Sequence, residues 1–422
     1  MILALIIFII TYILLLVFPK YRAYIALVSA GLFIVFNILP IDKAFGYLDF
    51  NVLMMIAGTM GVVVLFIESK MPSLLADLII EKTPNVKWAI VSLALFAGVI
   101  SAFIDNVATV LMIAPVALNI AKKLKISPVP SIIAIAISSN LQGAATLVGD
   151  TTSIMLGGAA NMDFLDFFFM QGKIGIFWIV EVGAFAATML LFYFFRKETA
   201  LVERTEHTVV RSYVPSILLL SVIVFLILAS FIPGRPALTN GYICMSLMFI
   251  GLVYKMMTTK KFSSLFSIVK EIDFFTILLL AGLFIVIGGI TEAGVVREIS
   301  QIISRLGQGS PFMVYTIIVW ASVLISAFVD NIPYVATMLP VTTQIANYMG
   351  FSPYVLYFGL LIGATLGGNM TPIGASANIT GIGILRKEGY EVTAKEFMKI
   401  GVPFTLTAVV TGYILVWVIW GV

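Results

Sequence analysis

The chain contains a single cysteine, Cys244, and a single histidine, His207, and two classes of chemistry fall away with them. A lone thiol makes neither an internal disulfide nor a cysteine cluster for zinc or iron–sulfur, so Cys244 reads as packing. A lone imidazole in a charged stretch builds neither a histidine metal site nor a nucleophile triad, and His207 reads as solvated. Charge is scarce too: Asp, Glu, Lys and Arg supply 11% of the residues, where soluble domains carry about a quarter. The apolar stretch 2–18 has no basic leader or small-residue cleavage site and runs straight into another span. It reads as a retained helix rather than a signal peptide. No nucleic-acid partner, enzymatic activity or resident cofactor is expected.

What fills the 422 residues instead is hydrocarbon. They are 61% hydrophobic with a mean hydropathy of +1.12, which makes the lipid bilayer the first partner of an all-α polytopic membrane protein. A helical span needs about 20 apolar residues. Such runs fall near 2–18, 22–40, 50–68, 130–160 and 173–195, and again near 213–232, 238–255, 273–291, 353–385 and 400–420. Residues 1–195 form one repeat and 213–422 a second, joined by the polar linker 196–212. A hairpin is expected at 86–121 and at 311–347. The second arms, Val107 to Ala121 and Ile332 to Asn347, are too short for a full crossing, which favours re-entrant loops. Segments 72–82, 163–171 and 393–400 look like interfacial amphipathic helices.

On this plan 20 of the 25 Lys and Arg residues fall on one side of the membrane. That bias puts the linker in the cytoplasm and both termini outside, in the cell (inner) membrane. Five crossings per half is odd, so the halves are inverted relative to one another, with broken helices meeting at the midplane.

The sequence repeats accordingly. SAFIDNVATV at Ser101 returns 225 residues later as SAFVDNIPYV at Ser326. Asp49-Phe50, Ala57-Gly58 and Glu68 return at an offset of 224 as Asp273-Phe274, Ala281-Gly282 and Glu292. Acidic residues inside hydrocarbon are costly and read as functional by default. The candidate ion or substrate ligands are therefore the tips, Asp105 with Asn106 and Asp330 with Asn331. Na⁺ is possible at those four. The Gly-rich stretches 141–153 and 366–378 would unwind their helices and line a cavity. They add Gly143, Thr146, Gly149, Asp150 and Thr151, then Gly368, Asn369, Thr371, Gly374, Ser376 and Asn378. Asp150 has no acidic counterpart, since position 375 is Ala. No Lys or Arg is expected near the broken stretches, so the carboxylates suit Na⁺ or H⁺ and repel a bare anion.

The motifs S-A-F-x-D-N, T-L-V-G-D-T-T-S, D-N-I-P and G-G-N-x-T-P-I-G-A-S-A-N carry a resemblance that spans nearly the whole chain. The sequence resembles the ion transporter superfamily, in the branch of arsenite permeases, NhaD-type sodium–proton antiporters and the melanosomal P protein, related to divalent anion:sodium symporters and citrate transporters. The resemblance implies a scaffold domain, a mobile transport domain, homodimers and elevator-type alternating access. The related dicarboxylate symporters use Ser-Asn-Thr at both tips, where this chain has Asp-Asn-Val and Asp-Asn-Ile. The expected function is a secondary transporter coupled to Na⁺ or H⁺, with sodium–proton antiport or exchange of a small ion leading. Arsenite-like metalloid export and cation-coupled citrate or dicarboxylate transport are the alternatives. An ion channel has less need of inverted repeats. An intramembrane aspartyl protease would want a G-x-G-D signature that this sequence lacks.

Overall fold

The computed structural model describes residues 1–201, 208–260 and 263–421, without the side chains of 263–265 and 267; His207 lies outside the described residues. The described chain is almost entirely helical, with one pair of two-residue strands, Phe169–Met170 and Lys173–Ile174. The first half contains α1 (Ile2–Val17), α2 (Arg22–Val35), the short α3 (Ile41–Ala44), α4 (Phe50–Glu68), α5 (Met71–Glu81), the hairpin arms α6 (Val86–Ser101) and α7 (Asn106–Leu124), the broken helix α8 (Val129–Gly143) and α9 (Thr151–Ala160), and α10 (Ile176–Phe194). The second half repeats the order ten numbers later. It runs through α11 (Val214–Ser230), α12 (Thr239–Thr259), α13 (Ser263–Glu271), α14 (Phe274–Glu292), α15 (Val295–Leu306), the arms α16 (Pro311–Ser326) and α17 (Asn331–Met349), the broken helix α18 (Tyr354–Leu361) and α19 (Ser376–Lys387), and α20 (Ala394–Trp420).

The two halves pack reciprocally. Helix α4 lies along α12 and α14 along α2, while α10 lies along α20, α7 meets α19, and α17 meets α9. Glycine permits the closest of these approaches. A Cβ on Gly58 would come within 2.4 Å of the Cys244 backbone, and one on its counterpart Gly282 within 2.7 Å of the Ala26 backbone. Small residues at such crossings let helices pack in lipid, where no hydrophobic effect drives them together. The long helices α4 and α14 start alike, since Asp49 caps Val52 N–H and Asp273 caps Thr276 N–H, both at 3.0 Å. Each such cap contributes about 1 kcal/mol. They end alike as well: Glu68 pairs with Lys255 at 2.5 Å and Glu292 with Lys43 at 3.0 Å, which gives the repeated glutamates a structural partner each.

Six helices, α4, α7, α10, α12, α14 and α20, are long and apolar enough to cross a bilayer among the described residues. Outward side chains such as Ile9, Ile13, Leu220, Val224, Phe185 and Ile250 are exposed, as lipid-facing residues are. The chain is an all-α polytopic membrane protein of two inverted repeats, each with a hairpin and a broken helix. Two packing groups follow from the contacts. One holds α1, α2, α4, α11, α12 and α14; the other holds the hairpins, the broken helices, α10 and α20.

Several boundaries differ from the sequence expectation. The second hairpin arms are 19 residues each, running to Leu124 and Met349 and stopping at left-handed Lys125 and Gly350. At 1.5 Å per residue they reach about 28 Å, so arm length does not argue for re-entrance. Burial does, because Asn106, Asp330 and Asn331 at the tips are buried inside the protein. Helix α2 ends at Val35 rather than near 40, with left-handed Asn37 and then Pro40 beyond it. Segment 163–171 is one 3₁₀ turn and a strand instead of an interfacial helix. Segment 393–400 is not separate, because it opens the 27-residue α20. The linker is pinned at both ends: Ala200 accepts from Val86 N–H, and Thr208 donates to Asp77 from both its amide and its hydroxyl.

Candidate functional site

Both hairpin tips are built the same way. After the first arm the chain turns through Ala102–Ile104, and Asp105 caps α7 by accepting from Ala108 N–H at 3.1 Å. Asp330 caps α17 by accepting from Ile332 N–H at 3.0 Å. The following broken helix clamps each tip. The Thr146 hydroxyl donates to the Ala102 carbonyl, and Thr371, 225 residues on, donates to the Ala327 carbonyl. Gly149 and Gly374 lie against the same tips so closely that a Cβ on either would sit 2.7 Å from those carbonyls. The breaks are braced in parallel too, with Ser153 donating to the Gly143 carbonyl at 3.4 Å and its counterpart Asn378 to the Gly368 carbonyl at 3.1 Å. Gly143, Thr146, Gly149, Gly368, Thr371, Gly374 and Asn378 thus shape and hold the tips.

The two broken helices meet at Asn140, a residue that sequence reasoning passed over. Its amide donates to the Thr365 carbonyl at 2.7 Å and to Asn369 Oδ1 at 3.0 Å, while its Oδ1 accepts from Asn106 at 2.9 Å. Thr365 is its own repeat counterpart and lies in a one-turn π segment, Ile362–Leu366, a distortion frequent at functional sites. The polar run Ser138-Ser139-Asn140 inside an apolar helix was the available signal.

Beside this centre lies a cavity of about 190 Å³. The first tip and break give it Asp105, Asn106, Asp150 and Thr151; the second half gives Asn331 and Ser376. Apolar residues of α4, among them Met60 and Val63, form the facing wall, and Glu271, Asp273 and Thr276 stand at its rim. Asp150 is buried, accepts from Thr151 N–H at 2.9 Å and from the Thr152 hydroxyl at 2.7 Å, and lies 3.5 Å from the Asn331 amide. Among the described residues no Lys or Arg lines this cavity. No cluster of three or more His, Cys, Asp or Glu side chains converges for a metal ion there or elsewhere in the described chain. Any cation would take its ligands from a mixture of carboxylate, amide, hydroxyl and backbone oxygens, which is the chemistry of a hard monovalent ion.

The carboxylates lining the cavity are Asp105, the unrepeated Asp150 and, from the second half, Glu271 and Asp273, while Asp330 lies 3.4 Å from the hydroxyl of the lining residue Ser376. One expectation is corrected here: a fixed cation does stand at a tip. Arg22 Nη1 is 2.7 Å from Asp330 Oδ2, both side chains being largely buried. Hydropathy assigns Arg22 to a surface turn, and no sequence pattern links it to a residue 308 positions away.

The model of the citrate transporter family matches residues 6–363 and 265–421. The chain belongs to the citrate transporter family. Its relatives in that setting include a 46 kDa membrane protein of Mycobacterium leprae, 30% identical over 322 residues that cover 75% of this chain and 74% of that one. An uncharacterized transporter of Mycobacterium tuberculosis is 31% identical over 333 residues, covering 77% and 75%. The human P protein is 26% identical over 458 residues, covering 88% of this chain and 54% of its own length. In fold the chain is similar to the YdaH transporter of Alcanivorax borkumensis, at a TM-score of 0.60 and 14% identity over 89% of this chain and 87% of that one. As a member of the citrate transporter family it is a membrane transporter, and neither an enzyme nor a soluble binding module. For such a transporter, two unpaired carboxylates beside one neutralised carboxylate are an arrangement suited to a positive ion.

Proposed function

We propose that this transporter is driven by Na⁺ or H⁺, taken between Asp105 and Asp150, with sodium–proton antiport or exchange of a small ion as its specific form. The observation that carries this reading is the acidic cavity without a fixed cation in its lining. Like charges about 4 Å apart repel by roughly 4 kcal/mol at an effective dielectric of 20, so a small cation or a proton relieves the pair. Asn106, Asn331, Thr151 and Ser376 complete the ion's surroundings as neutral oxygen donors. No membrane-wide motion is needed to fill the cavity, only access through its rim.

Alternating access is supported by an asymmetry between mirror positions. Asp49 sits hard against Gly158, where a Cβ would come within 2.5 Å of its Oδ2. The counterparts are Asp273 and Gly383, and Gly383 has open space where that contact would be. The first contact is made and its mirror is not, although the Asp49 side keeps a cavity of its own, about 690 Å³, lined by Asp49 and Gly158. With the linker in the cytoplasm, the unmade contact at Asp273 faces inward, which supports an inward-facing conformation. The elevator-type exchange moves the hairpins, broken helices, α10 and α20 against the other group, closing Asp273 on Gly383 and freeing Asp49. Homodimerisation, extracytoplasmic termini and residence in the cell membrane belong to the same proposal.

A second reading, cation-coupled transport of citrate or a related carboxylate, is favoured by the family match and by Arg22 standing at a tip. The test is uptake into proteoliposomes under imposed pH and Na⁺ gradients, with Na⁺, Li⁺, arsenite, citrate and phosphate compared. The proposal expects Na⁺ or Li⁺ to collapse a pH gradient without any organic anion. Flux that requires citrate would favour the second reading, and flux indifferent to both gradients would exclude coupling altogether.

A further inference from the structure

The two tips share one design, yet their electrostatic surroundings are not equivalent. At the first, Asp105 lies beside Thr151 and Asp150 in the cavity, with no basic residue in its lining. At the second, Asp330 lies 3.4 Å from the hydroxyl of Ser376, the counterpart of Thr151, and 2.7 Å from the guanidinium of Arg22. The position equivalent to Asp150 is Ala375. So, among the described residues, the first tip carries two carboxylates and no cation, and the second one carboxylate and one cation.

Arg22 is held for this role. Its Nε donates to the Leu15 carbonyl at 3.3 Å at the sharp bend between α1 and α2, and this fixes the arm that carries the charge. Nearby, the Tyr12 hydroxyl of α1 donates to the Pro333 carbonyl at 2.6 Å and is also hydrogen-bonded to Thr337, joining α1 to the first turn of α17. The mirror position can be found from the mirrored glycines: Gly282 rests on Ala26 and Gly58 on Cys244, so the residue matching Arg22, four before Ala26, is Asn240. That residue is uncharged. The duplication has therefore kept both acidic tips but supplied a basic partner to only one.

We infer that Arg22 is the resident cation of the second tip, standing where a coupling ion would otherwise bind Asp330, so that each chain takes a single monovalent cation, at Asp105 and Asp150. A guanidinium bonded to one carboxylate oxygen supplies the same unit of positive charge as Na⁺. This inference deepens the proposed function and rests on it.

Equilibrium binding of radioactive Na⁺ to the detergent-purified full chain, at alkaline pH where protons compete least, decides the matter. The wild type is expected to hold a single ion per chain. Arg22→Gln, which vacates the second tip, is expected to hold a second ion. Arg22→Gln combined with Asp330→Asn returns to a single ion, and Arg22→Lys keeps a single ion because the charge is retained. Two ions on the wild type, or no gain in a folded Arg22→Gln protein, would overturn the inference while leaving cation coupling intact. No ion on the wild type would instead overturn Na⁺ binding at the first tip, and the inference with it, leaving protons as the only cation of the proposed function. Should Arg22→Gln fail to fold, Asp330→Asn decides: retention of the single ion supports the inference, and its loss defeats it.

Discussion

At the first hairpin tip, Asp105 opens onto a cavity that it shares with Asp150; at the second, Asp330 is tied to Arg22 at 2.7 Å. The scaffolding of the two tips repeats in its clamping threonines and its close-packed glycines. The difference teaches that gene-level repetition preserved the mechanical part of the site, the tips and their clamps, and let the electrostatic part diverge. On the proposed mechanism, alternating access needs both halves to keep the same shape, whereas one ion site per chain is enough to couple movement to a gradient.

The largest test of that division concerns movement. Cysteines placed at Asp49 and Gly158 and joined by a short thiol crosslinker should arrest transport completely and reversibly, trapping the inward-facing form; the buried Cys244 adds little background. A pair at Asp273 and Gly383 should crosslink only when the protein cycles, and trap the opposite form. Equal crosslinking of both pairs in a resting sample would break the proposed asymmetry.

The next effect separates the tips by charge. Asp105→Asn and Asp150→Asn should each cut ion-driven flux at least ~100-fold, about 3 kcal/mol of lost ion stabilisation. Asp330→Asn should act chiefly on stability, lowering the melting temperature by leaving Arg22 without its partner. A flux loss as deep in Asp330→Asn with an unchanged melting temperature would show that the second tip also binds an ion.

The shared scaffolding predicts equal damage in both halves. Gly149→Ala and Gly374→Ala should each destabilise by roughly 1–3 kcal/mol, because a methyl group would run into the tip carbonyls. Thermal unfolding of the two variants side by side checks the equality. Smaller again, Thr146→Val and Thr371→Val should each lose about 1 kcal/mol for one hydrogen bond to the tip, with flux falling in parallel. A large difference between the members of either pair would show that the halves are not mechanically equivalent.

Much of this was readable from the sequence, for a physical reason. Acid in hydrocarbon and a repeated motif are rare enough that Asp105, Asn106, Asp330 and Asn331 announce themselves, and glycine-rich interruptions mark the broken helices. The role of the glycines and threonines as clamps was not readable, because a ligand hydroxyl and a clamping hydroxyl look alike until the acceptor is known. Asp150 has no repeat to mark it, yet it joins Asp105, Glu271 and Asp273 in making the cavity acidic. Arg22 was out of reach: its side chain is brought to Asp330 by the bend at Pro19–Tyr21 and the packing of α2 on α14, neither of which leaves a pattern in the sequence. The same limit applied to α20, whose charged first turn reads as amphipathic and yet continues through Pro403 as one helix.

The central claim, that a small cation is taken at the first tip, is tested most directly by cation-driven flux in proteoliposomes carrying wild-type protein or Asp105→Asn at matched amounts. The account predicts that an imposed Na⁺ or pH gradient drives flux in the wild type and that the variant loses it while remaining folded. Undiminished gradient-driven flux in Asp105→Asn would contradict it.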